Sequence, residues 1–331
     1  MALLDLFQQN AVVFYGVVAF VSLMVGSFLN VVIHRLPIMM ERAWREGIEE
    51  FEQERAAMEA AKSGDRLASD AGATAETADS ATSASNGVAG GTDLSQPENA
   101  RQPEPFNLAV PRSRCPSCGN EITAWQNIPI ISYLILGGKC ARCKTPISAR
   151  YPIVEFVTML LSLIVAWQLG PTPQAALGIV VTWFFVAMTM IDFDHQLLPD
   201  SLTLPLMWIG LLAALIPVFT DLHSAVIGAA AGYLVLWLVY QAFRIVTGKE
   251  GMGYGDFKLL AAIGALLGWH ALPMVILLSS LVGAVVGVAI IAVTGRDKNI
   301  PIPFGPYLAA AGWIAMLWGE SLTSWYYGFL A

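Results

Sequence analysis

Long apolar runs separated by clustered charge decide which solvent this chain can fold in. They fall at residues 11–33, 153–169, 175–191, 202–219, 225–243, 259–269, 272–293 and 304–318. Most approach the roughly 20 residues that a helix needs to cross about 30 Å of hydrocarbon, and the run at 259–269 is the shortest. A chain that is 56% hydrophobic and 13% charged cannot expose such runs to water. The pattern predicts an all-α polytopic membrane protein of about eight transmembrane helices. Nothing basic precedes the first run and no small-residue cleavage site follows it, so it reads as a retained helix rather than a signal peptide.

The basic residues orient these runs. With the N-terminus outside, Lys and Arg occupy residues 35–150, 244–258 and 296–298, and all 18 fall on one side. The opposite loops at 170–174 and 220–224 carry none. Basic loops stay in the cytoplasm, which predicts a multi-pass protein of the bacterial cytoplasmic membrane. The short sixth run is required by the same parity, because Lys258 and Arg296 share a side only across an even number of crossings. Net charge is −7, with much of the acid in one polar insert, and it points away from a nucleic-acid partner.

That insert is the cytoplasmic segment 38–112. Residues 39–62 are rich in Glu, Arg and Ala and suit a helix. Residues 63–104 are Ala, Ser, Thr, Gly, Asp and Pro, too polar to offset their ordering entropy, and are expected to be disordered. A tolerated linker is the simpler reading, a docking arm the sharper one. The expected organisation is a first transmembrane helix (1–37), the insert (38–112), a four-cysteine region (113–151) and a membrane domain of about seven helices (152–331).

The chain has four cysteines, as Cys115-Pro-Ser-Cys118 and Cys140-Ala-Arg-Cys143, with 21 residues between the pairs. Two such pairs each offer two thiolates from a tight turn and together make a tetrahedral zinc site. Gly119, Gly137 and Gly138 suit the turns. Two disulfides or four idle thiols are the alternatives, and a reducing cytoplasm weighs against the disulfides. Four protein ligands leave no open position, so the expected role is structural. The apolar stretch 128–136 between the pairs is too short to span; it can lie on the membrane surface or pack on the helices.

Two acidic segments share the cytoplasmic side. One is Asp192-Phe-Asp194-His195-Gln-Leu-Leu-Pro-Asp200; the other is Gly251-Met-Gly253-Tyr-Gly255-Asp256-Phe-Lys258. Two carboxylates at one membrane depth can share a proton, one acting as general base on water and the other assisting the scissile carbonyl. The glycines allow close approach of a substrate strand. Alone, Asp256 reads as a helix cap and Asp192, Asp194 and Asp200 as a solvated helix end. His195 reads as a neighbour of acids that could tune them. Asn30 reads as packing or a functional polar group where the first helix exits. Glu155, one turn inside the second run, needs a partner such as Arg150, a nearby helix or a substrate. Trp313, Trp318, Trp325, Tyr326 and Tyr327 read as an interfacial belt.

These pieces together resemble the type IV prepilin leader peptidases, bifunctional peptidase and N-methyltransferase enzymes of pili and type II secretion. The resemblance rests on Gly26-Ser-Phe-Leu-Asn30-Val-Val-Ile-His34-Arg35-Leu-Pro37, both cysteine pairs, Arg150-Tyr-Pro-Ile-Val-Glu155, the 192–200 segment, Gly253-Tyr-Gly255-Asp256-Phe-Lys258 and Pro301-Ile-Pro-Phe-Gly305-Pro306. It covers essentially the whole chain; the departure is the long stretch 63–104. It implies that Asp192 and Asp256 are the catalytic pair, with Asp194, Asp200, Gly253, Gly255, Lys258, Glu155 and Asn30 in support. It implies prepilin and pseudopilin substrates in the lipid bilayer, cleavage after a Gly, and methylation of the new N-terminus with S-adenosylmethionine. No feature of the sequence marks a methyl-donor site independently. The competing readings are another GxGD intramembrane protease, or a non-enzymatic transporter or sensor that uses the same acids.

Overall fold

The computed structural model describes residues 2–73, 106–294 and 303–330. Regular structure among them is helical, apart from two isolated β-bridges. The helices are α1 (Ala2–Gln9), α2 (Ala11–Ala73), α3 (Ile131–Ile135), α4 (Arg150–Leu169), α5 (Pro173–His195), α6 (Asp200–Ala213), α7 (Leu222–Thr247), α8 (Tyr254–Leu267), α9 (Leu272–Thr294) and α10 (Gly305–Leu330). Each apolar run lies on or overlaps one of α2 and α4 to α10. Five segments are long and apolar enough to cross a membrane, namely Ala11–Glu59, Arg150–Leu169, Pro173–His195, Leu222–Thr247 and Trp269–Ile290. Helices α6 and α8 have 14 residues each, about 21 Å of rise, and are shorter than the hydrocarbon layer. Helix α1 has no counterpart among the apolar runs, because eight residues carry too little periodicity to be read.

Local signals set the boundaries. The Thr172 hydroxyl accepts the Ala175 N–H at 3.2 Å, and Pro173 follows at the first helical position of α5. Asp221 caps α7 through the Ser224 N–H at 3.0 Å, and Gly248 closes it in the left-handed region.

The described chain divides into two compact units, Met1–Pro37 with Arg112–Ala331, and Ile38–Pro111. Within the smaller unit, Arg45 pairs with Glu41 and Arg55 with Glu59, one turn apart, and the Arg42 guanidinium lies 4.1 Å from the Phe106 ring centre. Helix α2 runs to Ala73, so the first part of the stretch expected to be disordered, 63–73, is helical. Residues 74–104 lie outside the described residues.

In the larger unit α8 is the central helix, packed by α6, α7, α9 and α10. Leu259, Leu260, Ala262, Ile263 and Ala265 are fully buried. Lipid tails are as apolar as leucine, so close van der Waals packing holds such helices together. The sequence Gly228-Ala-Ala-Ala-Gly232 permits it: a Cβ on Gly228 would lie 2.2 Å from the Gly264 carbonyl oxygen, and one on Gly232 would lie 2.6 Å from that of Leu260. Gly26 does the same between α2 and α4, where a Cβ would meet the Glu155 Cα at 2.9 Å. Trp313 departs from the expected belt: its indole N–H turns inward to the Thr182 hydroxyl at 3.0 Å, and its ring packs on Trp318. The side chains of Trp325, Tyr326 and Tyr327 lie outside the described residues.

Candidate active site and cysteine cluster

Asp192 is not on a solvated loop. It occupies the last turn of α5 on the buried face that runs through Val181, Phe185 and Met188, at spacings of four, three and four. The residue is 5% exposed, and its Oδ2 has no hydrogen-bond partner among the described residues. Asp256 is 7% exposed and stands in the first turn of α8, where its carboxylate faces the N–H of the capping residue Gly253. The two carboxylates are close enough for their charges to act on each other.

Small residues make that approach possible. Gly255 presses on Leu198, where a Cβ would come within 2.6 Å of the Leu198 Cβ. Gly305, the first residue of α10, abuts the same leucine and Asp192; a Cβ there would lie 2.6 Å from Asp192 Oδ2. The Gly305 N–H faces the Asp192 carboxylate. The N-termini of α8 and α10 therefore both turn toward the acids, and their free N–H groups favour negative charge there. Leu198 and Gly305 are the contacts that sequence reading missed. Gly305 lies inside the motif at 301–306, but nothing local in the sequence shows that it meets Asp192. Of the same motif, Pro301 and Ile302 lie outside the described residues.

The neighbouring acids are arranged differently. Asp194 takes a two-pronged contact from Arg150, one arm at 2.9 Å. Asp200 receives Lys258 Nζ at 2.6 and 2.7 Å. Each of these neighbouring acids has a cation, and the buried pair has none among the described residues. His195 ends α5 in an exposed position.

Arg150 is thus committed to Asp194 and is not the partner of Glu155. Glu155 is 7% exposed, and its Oε2 accepts the Ile130 N–H at 2.8 Å. Ile130 stands at φ 58°, ψ −49°, with the Ile131 N–H 2.5 Å from the Pro129 oxygen. This is a γ-turn of the rare hand, strained for a β-branched residue by about 1–3 kcal/mol. Asn30 donates to the Tyr151 carbonyl at 3.1 Å, joining α2 to the start of α4. Asn30 and Glu155 therefore tie α2, α4 and the segment between the cysteine pairs together.

The four cysteines form one cluster, with all sulfurs within 4.8 Å of one another and Cys115 and Cys143 Sγ 3.7 Å apart. Zinc–sulfur bonds of about 2.3 Å give tetrahedral sulfur separations of about 3.8 Å, so the cluster fits a four-thiolate ion with small closing shifts. The two turns are copies. In each, the first cysteine's N–H bonds the carbonyl five residues on, at Asn120 and Thr145, and its carbonyl accepts from the residue four on, Gly119 and Lys144. Both of the latter have positive φ, +66° and +60°. Glycine marks only the first copy; Gly137 and Gly138 instead close α3. The Thr145 hydroxyl, 3.2 Å from Cys143, and the Thr145 N–H draw that thiol down to about 6.

Known proteins are similar in sequence to this chain over nearly its whole length. Residues 20–169 match the family described as Bacterial Peptidase A24 N-terminal domain, and residues 179–288 match the Type IV leader peptidase family. A protein of Aeromonas hydrophila named prepilin leader peptidase/N-methyltransferase is 50% identical over 324 residues, 98% of this chain and 97% of its own. One of the same name from Pseudomonas aeruginosa is 47% identical over 333 residues, 99% of each. Another, from Legionella pneumophila, is 41% identical over 315 residues, 95% of each. No solved structure matches.

Proposed function

The chain belongs to the type IV leader peptidase family, and from that premise we propose that Asp192 and Asp256 are the carboxylate pair with which it removes the leader from type IV prepilins and pseudopilins. The observation that carries the assignment is the contrast among the motif acids. Asp194 and Asp200 are each neutralised by a cation, whereas Asp192 and Asp256 are buried together without one among the described residues. Two carboxylates so placed hold one proton between them. The ionised one takes a proton from water, whose oxygen bonds to the carbonyl carbon of the leader's terminal Gly. The protonated one gives its proton to the carbonyl oxygen. Collapse of that intermediate breaks the C–N bond, and a proton passes to the departing amine. Gly253 leaves room beside Asp256 for the substrate backbone, and Gly255 lets Leu198 close on the start of α8. Asp194, Asp200 and Lys258 fix the helix ends around the pair, and Asn30 and Glu155 brace α2 against α4.

The uneven distribution of Lys and Arg supports a site on the cytoplasmic face of the inner membrane, where a prepilin's basic leader meets its apolar helix. The new N-terminal amine is then methylated, with S-adenosylmethionine as donor, as the names of the relatives imply. Cys115, Cys118, Cys140 and Cys143 hold zinc; when bound, the ion supplies a structural cross-link and no open position for substrate. The transporter, sensor and other-protease readings lose their basis in a match over 98% of the chain to a leader peptidase.

The test is incubation of the purified protein in lipid with a prepilin, read as product mass. Wild type, Asp192→Asn and Asp256→Asn run side by side, with and without S-adenosylmethionine. Loss of the leader in wild type alone supports the pair, and a methyl increment that needs the donor supports the second activity. Cleavage by folded Asn variants would reject the pair.

A further inference from the structure

The segment between the two cysteine pairs presents large apolar side chains outward. Trp125 is 82% exposed, Ile131 55%, Leu134 71% and Ile135 79%. Leader hydrolysis uses none of them. The other side of α3 faces its own module: Tyr133 packs on Gly138, and its hydroxyl reaches the Ile147 carbonyl at 3.5 Å. The short helix is therefore two-sided, and its apolar side has no partner among the described residues.

Its position is set by α4. Glu155 lies five residues past Arg150, about 7.5 Å along the helix from its start. The 2.8 Å hydrogen bond from the Ile130 N–H to Glu155 pulls the backbone just before α3 down to that level. The strained φ of 58° at Ile130 is held by this bond and by the turn that closes on Pro129. Helix α4 is itself a candidate span, and its exposed face is apolar at Ile153, Phe156 and Leu160. The backbone that leads into α3 is thus held at the level of the first turns of a span. A tryptophan beside it suits the headgroup boundary, where an apolar body with one polar N–H is favoured.

We propose that Trp125 and α3 dip into the interfacial layer of the bilayer, and that Glu155 is the positioning residue that fixes their depth through Ile130. The zinc module is thereby anchored to lipid as well as to α4, as an interfacial element rather than a soluble appendage.

The full-length zinc-loaded protein is reconstituted in phosphatidylcholine vesicles that carry a diazirine either near the head of one acyl chain, to reach α3, or near its middle, to reach α9. After photolysis, adducts are mapped by peptide mass. Adducts are expected on Leu134 and Ile135 at a yield comparable to Leu281, an exposed residue of α9. Glu155→Ala should lose the adducts at 134 and 135 while keeping that at 281 and the zinc content. Glu155→Gln, whose amide oxygen still accepts the Ile130 N–H, should retain them. Labelling at 281 with none at 134 or 135 in wild type would overturn the proposal. So would p-benzoylphenylalanine at position 134 that captures an added prepilin or a second copy in place of lipid. Unchanged labelling in folded Glu155→Ala would remove the positioning role, and if that variant does not fold, the wild-type map and Glu155→Gln decide. Lipid labelling is read without substrate, so its outcome is separate from the leader-cleavage assay.

Discussion

Among the described residues, Asp194 and Asp200 have a cation beside them and Asp192 and Asp256 have none. A carboxylate out of water and without a cation is costly, and the cost is tolerated where chemistry requires it. Replacing either with Asn keeps the shape and removes the proton exchange, so cleavage should fall on the order of 10²–10⁴-fold with the protein still folded. Product mass checks the first half and elution as a single species in detergent the second. Asp194 and Asp200 predict a milder outcome. Their pairs with Arg150 and Lys258 are partly exposed, and such pairs contribute about 0.2–1 kcal/mol. Arg150→Ala and Lys258→Ala should therefore lower the unfolding midpoint slightly and leave the peptidase measurable. Cys143 gives a pH-dependent test. Its thiol is lowered from 9.0 to about 6, so the thiolate forms as pH rises through about 6. In metal-free protein its alkylation should rise through that range and then level off, whereas an ordinary thiol would keep gaining rate toward pH 9. Zinc should suppress the reaction. The acids and cysteines were legible residue by residue. Which acids stand without a cation was not, because Arg150 and Asp194 are 44 positions apart and Lys258 and Asp200 are 58.

At the scale of elements, glycine carries the packing. A side chain at Gly228 would drive α7 into the backbone of α8, which has no room to move between its neighbours. Gly228→Leu should destabilise by about 1–3 kcal/mol or more, read as a lower thermal midpoint in detergent. Gly305→Ala acts more locally, since the added methyl meets Asp192 Oδ2 at 2.6 Å. It should lower kcat more than the thermal midpoint, because it displaces a reacting group and leaves the bundle standing. The helices themselves were readable from apolar runs and caps. Their lengths were less so: α8 begins at Tyr254, ahead of its apolar run, since the Gly253 turn and not hydropathy starts it. α6 stops at Ala213 although the run continues to 219.

At the scale of the molecule, the membrane bundle and the cysteine module are separable in stability. The bundle rests on helix packing, whereas the module has four thiols, two copied turns and short pieces of helix, a small core that a bound ion would reinforce. Chelation of zinc should raise amide exchange across residues 113–147 and leave α5, α7 and α8 protected, as read by mass spectrometry in lipid. What the sequence determined by itself was what its chemistry writes locally: apolar runs that require a bilayer, cysteine pairs with the spacing of thiolate metal ligands, and ordered motifs that point to one family. What only the tertiary structure decided was every relation between distant segments. Asp192 is buried beside Asp256 because α5, α8 and α10 converge on Leu198 and Gly305. Glu155 serves Ile130 rather than Arg150 because a strained turn reaches it first. Hydropathy and spacing report how each residue meets its solvent and its near neighbours; only packing fixes which residues from different helices share a site.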